Sequence, residues 1–279
     1  DLDWIKDKSL LGEELSLKLQ AVQLAGRPNT HYYFGLKKGV GNPVFLHENP
    51  YPELDLPDDG FRMLTLFRYW NAIQYFYPYP YMIEGKWSDV LEEFIPEFLA
   101  VGDKVSYSLV VLKLVSRIND THGYLTSDAA ENYFGRNQAA YKITFIEAKP
   151  VVTGYLHNKL GPEDGLEPGD IIVDVNGELM RDMINRLAPY VPASNYDAKL
   201  RKIANLILRS NNRSINVTIE RQGITKSVQV PCHPITSYAG NTASDQPAWR
   251  FLSDNIGYIY LGTLQGRDVG KAMTEFRST

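Results

Sequence analysis

A short strand held between two turn signals constrains this chain more than any other stretch. Gly165-Leu166-Glu167-Pro168-Gly169-Asp170 leads into residues 171–175 and then into Asn176-Gly177. Pro168 fixes the φ of one turn position, Gly169 supplies the permissive φ of the next, and Asp170 is placed to cap the turn before Ile171 and Ile172 enter a sheet. Asn176-Gly177 is the strongest short-range signal for a second tight turn. Residues 142–147 and 151–155 read as further strands, and 214–220 with 225–230 as a hairpin around Gln222-Gly223. Residues 197–210 read as an amphipathic helix carrying Leu200, Ile203, Leu206 and Ile207. Strands, helix and hairpin between about 141 and 231 predict a compact α+β domain.

The rest of the chain divides at its breakers. Ile5, Leu11, Leu15, Leu19 and Val22 lie near helical spacing, the pattern ends at Gly26, and 31–36 reads as extended. Glycines and prolines crowd residues 35–60, which predicts an irregular surface linker closed by Asp58-Asp59. A helical block follows. Met63, Leu66, Phe67, Trp70 and Ile73 form one apolar stripe, Trp87, Val90, Leu91, Phe94, Ile95 and Phe98 another, and 107–118 reads as a third helix. The aromatic run 75–81 is expected to extend their shared core. After a polar linker at 237–246, residues 256–261 are apolar on both faces, as in a strand buried between helices, and 266–276 begins a helix.

Composition excludes several functions. The chain has 279 residues, 44% hydrophobic, enough for more than one core. Its formal charge of -4 comes from interspersed acids and bases, with no basic stripe, so no nucleic-acid partner is expected. No apolar run reaches the roughly 18 to 20 residues of a membrane span, and 108–115 is interrupted by Lys113, so this segment is not expected to insert in a membrane. The single Cys232 rules out an internal disulfide and reads as an unreactive thiol. His31, His47, His157 and His233 keep no metal-site spacing, and no phosphate-binding glycine loop or Gly-Xaa-Ser-Xaa-Gly elbow occurs. Neither a metal nor another cofactor is implied. Glu92-Glu93 and Asp58-Asp59 read as solvated faces and linker.

The paired turns followed by helix and hairpin resemble a PDZ domain of the bacterial, circularly permuted type. PDZ domains bind a peptide as an added strand beside a helix, with backbone hydrogen bonds giving affinity and side pockets giving specificity. The resemblance implies an acceptor strand of Ile143, Thr144, Phe145 and Ile146, and a facing helix that offers Leu200 and Ile203 to the peptide. It also implies a glycine-rich loop before that strand to grip a terminal carboxylate. Here the chain departs, with Asn137-Gln138-Ala139-Ala140-Tyr141 in that place and Gly135 the nearest glycine. Binding of internal or unfolded segments, reading of free C termini and a structural role all remain open.

Just after the third helix the chain reads Ile118-Asn119-Asp120-Thr121-His122-Gly123. Locally, His122 reads as a cap on that helix's carbonyl end. The order of helical block, Asp-Thr-His, PDZ-like module, linker and Ile256-Gly257-Tyr258-Ile259 strand resembles the serine peptidase family of tail-specific (C-terminal processing) proteases and the tricorn protease core. The likeness runs from about Phe61 onward. Gly39-Val40-Gly41-Asn42-Pro43 and Phe67-Arg68-Tyr69-Trp70-Asn71 are similar to stretches of Bacteroidetes-type members. The resemblance implies that His122 is the general base and that Thr121, where tricorn-type members carry serine, is an orienting hydroxyl. Imidazole suits the base role because it titrates near neutrality, and such help is typically worth about 10² to 10⁴ in rate.

The implied nucleophile follows an Asp-Xaa-Arg-Xaa-Asn-Pro-Gly-Gly-like stretch expected shortly after Thr279. Another branch of the family uses a Ser-Lys dyad, in which case His122 is structural. The expectation is thus an α+β multidomain, N-terminal portion of a serine endopeptidase. Residues 1–58 form an N-terminal segment and linker, 59–128 a helical cap, 129–235 the PDZ-like domain, and 236–279 a linker with the first strand-helix unit of an α/β peptidase domain. Its expected partner is a peptide or unfolded protein, and the expected place of such a peptidase is the periplasm or cell envelope. The alternatives are a non-catalytic PDZ-type adaptor and an inactive peptidase relative.

Overall fold

Asp7 and Gly12 divide what the apolar spacing reads as one helix into three pieces: a 3₁₀ turn at Asp3–Lys6, α1 at Lys8–Leu11 and α2 at Glu13–Leu24. The Asp7 carboxylate accepts from the backbone N–H of Ser9 and Leu10, which starts a new helix where the pattern alone continues the old one. Within the expected linker, β1 (Phe34–Leu36) and β2 (Pro43–Phe45) pair as an antiparallel hairpin. These elements belong to the first of two compact units, Asp1–Asp55 and Leu56–Thr279. The computed structural model describes residues 2–26, 31–157, 159–238, 248–253, 256–261 and 264–277.

The second unit opens with three helices, α3 (Asp59–Phe76), α4 (Asp89–Leu99) and α5 (Lys104–Ser116). Asp58 caps α3, and an Asp103/Ser106 capping box starts α5. Their stripes meet in a core of Leu66, Trp87, Val90, Phe94, Phe98 and Leu114. Trp70 and Trp87 donate their indole N–H groups to each other's backbone carbonyls, at 2.9 and 3.0 Å, so neither polar edge is left unpaired. The aromatic run behaves differently from expectation. Tyr75 lies on the solvent face of α3, 72% exposed; once the helix ends, the prolines at 78 and 80 carry the chain outward, leaving Tyr81 78% exposed, while the Tyr77 hydroxyl donates to Ile118 O at 3.3 Å.

A fourth helix, α6 (Asp128–Phe134), leads to the sheet: β3 (Asn137–Ala139), β4 (Tyr141–Ile146), β5 (Lys149–Tyr155), β6 (Ile171–Val175) and β7 (Glu178–Leu179). Then come α7 (Met180–Leu187), α8 (Tyr196–Ala204), β8 (Arg209–Ser210), β9 (Ser214–Arg221) and β10 (Ile224–Pro234). The strand order is β4-β5-β6-β9-β10-β3-β8, with β7 beside β6 and every pairing antiparallel. Alternation buries Ile215, Val217 and Ile219 of β9 against Val152, Ile172, Ile203 and Ile207. Asp170 caps its turn as its position predicts, accepting from Glu167 N at 2.8 Å. It is also buried, and Arg221 grips it from β9 through Nε at 2.6 Å and Nη2 at 2.7 Å.

The helix expected over 197–210 stops at Ala204. Leu206, Ile207 and Leu208 are apolar without interruption, and turning out of the helix puts the last two in the core, where Leu208 O accepts from Ala139 N at 3.1 Å. Beyond the sheet, β11 (Trp249–Ser253) pairs antiparallel with β12 (Ile256–Ile259), and α9 (Gly266–Arg277) follows. The faces of this ribbon, expected to be covered by helices of a larger sheet, are open among the described residues: Ile256 is 56% exposed, and Gly257 and Tyr258 are exposed as well. Most of the linker at 237–246 lies outside the described residues. The architecture is α+β: helices, a curled antiparallel sheet and a separate strand-helix element.

Candidate functional site

The Asp-Thr-His stretch forms a tight loop after α5. Asn119 takes a positive φ of 50°, and Gly123 N bonds back to Asp120 O at 3.0 Å. One carboxylate oxygen, Asp120 Oδ1, accepts from His122 N at 2.8 Å and from the His122 ring at Nδ1, 2.9 Å. The backbone hydrogen bond from His122 holds the Asp120 carboxyl below its ordinary range; burial opposes this, and the imidazole and Lys202 reinforce it. An ionised carboxylate only accepts, so Nδ1 carries the hydrogen and Nε2 of the neutral ring is the free basic nitrogen. The His122 side chain is 95% exposed. It does not cap α5; its partner is Asp120.

Thr121 faces a different neighbour. Its hydroxyl accepts from Ser194 N at 3.0 Å and pairs with Ser194 Oγ at 2.9 Å. Lys202 on α8 donates to Thr121 O at 2.5 Å and Pro192 O at 2.7 Å, and burial pushes its ammonium pKa down. The two loops meet closely at Gly123, where a Cβ would lie 2.9 Å from Val115 Cγ1 and 3.0 Å from Pro192 Cβ. The Thr121 hydroxyl therefore ties the His122 loop to the sheet domain and is engaged away from the imidazole.

β4 lies at the end of the sheet, paired with β5 on one side. Beside it, α8 starts at Asn195, whose side chain accepts from Ala198 N at 2.8 Å. Between strand and helix runs a groove of about 960 Å³ whose walls include Ile143, Thr144, Phe145, Leu200 and Thr121. Among the expected contact residues, Ile146 is half exposed outside the groove wall, and Ile203 is 0% exposed, turned into the sheet core. The groove and the His122 loop are neighbours because Thr121 belongs to both.

Sequence reasoning missed Asp120, Ser194 and Lys202. An aspartate two residues before a histidine is a local signal for a carboxylate that turns back on its own loop. Ser194 and Lys202 carried none, since they reach Thr121 from 73 and 81 residues away. Cys232 is buried and its thiol is pushed up to about 11 by burial, which makes it a poor nucleophile. Among the described residues no three His, Cys, Asp or Glu side chains converge as metal ligands, and no helix is long and apolar enough to cross a membrane.

No protein-family profile and no curated protein match the sequence. Solved structures similar to it include mature CPAF complexed with lactacystin, at 15% identity and a TM-score of 0.47, over 63% of this chain and 35% of that one. Mature CPAF alone gives 13% and 0.44, over 63% and 34%. The photosystem II D1 C-terminal processing protease gives 16% and 0.34, over 62% and 43%. The chain thus spans about a third of the CPAF length it matches. Likeness at this level assigns no activity.

Proposed function

We propose that this chain is the N-terminal part of a tail-specific or tricorn-like serine endopeptidase, with a PDZ-like groove that holds peptide and His122 as the general base. The observation that supports this most is the Asp120–His122 pair, an exposed imidazole held by a carboxylate, next in sequence to Thr121, which lines a strand-and-helix groove. In the proposed reaction a serine from beyond residue 279 gives its proton to Nε2 as its oxygen attacks the scissile carbonyl. Asp120 stabilises the imidazolium, and Nε2 returns the proton to the leaving amine. Water then cleaves the resulting ester by the same route. The substrate is an extended peptide or unfolded protein, met in the periplasm or cell envelope.

The test is the protein extended by about 120 residues beyond Thr279, a domain's length, assayed on an unfolded protein. Residues 1–279 alone should cleave nothing. The extended form should cleave, and His122→Ala should lose about 10² to 10⁴ of that rate. Cleavage indifferent to His122→Ala would contradict the proposal.

A second reading, a PDZ-type adaptor, is supported by the groove between β4 and α8, whose walls come from residues of this chain between Thr121 and Ala204. An adaptor would bind peptide in the groove, and its extended form would not cleave.

A further inference from the structure

A groove beside a free strand edge can hold a peptide by its end or by its middle, and the two demand different chemistry. Gripping an end requires several unpaired backbone amides, or a cation, converging on a carboxylate at the head of the acceptor strand. In this chain the segment leading into β4 is itself a strand. β3 pairs on one side with β10, Ala139 opposite Cys232 and Gln138 opposite His233, and on the other with β8, Gln138 opposite Arg209. Ala139 N of this strand donates to Leu208 O at 3.1 Å, and Arg136 N, just before it, to Asn211 Oδ1 at 3.0 Å. Ala139, Ala140 and Tyr141 are buried, and the Tyr141 hydroxyl donates to Gly161 O at 2.8 Å. Among the described residues lining the groove, Arg201 is the one cation, set against the carboxylates of Glu147 and Asp197. A terminal carboxylate would find the Ala139 amide already bonded and a lining that is acidic on balance.

We infer that the groove takes an internal stretch of an extended polypeptide and does not select a free C terminus; this rests on the reading of the groove as a peptide site. The occupant pairs its backbone with the open edge of β4 and sets alternate side chains against Ile143, Phe145 and Leu200. Its ends run out of the groove on both sides, so a chain can be held at any point along its length.

The experiment is fluorescence anisotropy of the whole chain with labelled random decapeptides, prepared once as C-terminal acids and once as amides. The comparison protein is Ala198→Trp, which fills the groove wall and whose fold is checked by circular dichroism. Acid and amide pools should bind within about twofold of each other, and Ala198→Trp should weaken both by about tenfold or more. A preference of about tenfold or more for the acids would overturn the inference and leave the groove reading standing. Failure of both pools to bind, or equal binding by a folded Ala198→Trp, would overturn the groove reading and the inference with it.

Discussion

His122 owes its orientation to a carboxylate two residues earlier, whose single oxygen holds both the backbone and the ring of the residue it orients. Asp120→Asn keeps the shape but offers the ring an amide that can present either group, so the tautomer is no longer fixed. In the extended protein we expect kcat to fall by about 10² to 10⁴ with KM nearly unchanged. A fall in substrate affinity with kcat intact would point to a loop-building role alone. Asp170 makes a separate prediction. Burial pushes its carboxyl up, but the hydrogen bonds from Arg221 and Glu167 N together with the Arg221 charge outweigh it and hold the group below its ordinary range. A folded pKa below the unfolded one contributes stability that is full above the ordinary carboxylate range and is lost as pH falls through the lowered value. Asp170→Asn should therefore cost about 3 kcal/mol in denaturant unfolding at pH 7, and progressively less as the pH is lowered toward 3. An equal cost at both pH values would contradict the ion-pair account. The Asp170 cap was legible in the sequence because it is local. Its Arg221 partner, 51 residues away, was not.

The junction of α6 and β3 depends on Gly135, at φ +104°, where a Cβ would come within 2.4 to 2.7 Å of the Ser210 backbone. Rigid backbone stands on the other side, so Gly135→Ala should destabilise the sheet domain by about 2 to 4 kcal/mol, measured by chemical denaturation. A change under about 0.5 kcal/mol, typical of a free surface site, would show the approach is not tight. The elements that the sequence revealed are those with long periodic stripes or paired turns: the three helices of the bundle, β6 with its flanking turns, and the β9-β10 hairpin. Those it hid include β3, β7, β8 and β11, which have two to five residues and exist because a partner strand lies beside them, and the short helices α6 and α7. Tyr79 and Tyr81 were misplaced for a related reason, since ring size predicts burial only where a neighbouring element covers the ring, and the prolines turn this segment away.

Within the second unit, residues from three distant parts of the sequence, Thr121, Ile143 to Ala148 and Ser194 to Ala204, close around one groove. The strand and helix that build it were read from pattern and resemblance. Their junction with the His122 loop, made by Ser194 and Lys202, needed the folded chain to be seen. In the proposed reaction Nε2 of His122 activates a serine hydroxyl supplied from beyond Thr279. The most direct measurement is the labelling rate of the extended protein by a fluorophosphonate, which reacts only with an activated serine, compared between wild type and His122→Ala. One labelled serine is expected, at a rate lowered about 10² to 10⁴ by the substitution. Labelling at the same rate in both proteins, or none in either, would contradict the proposal.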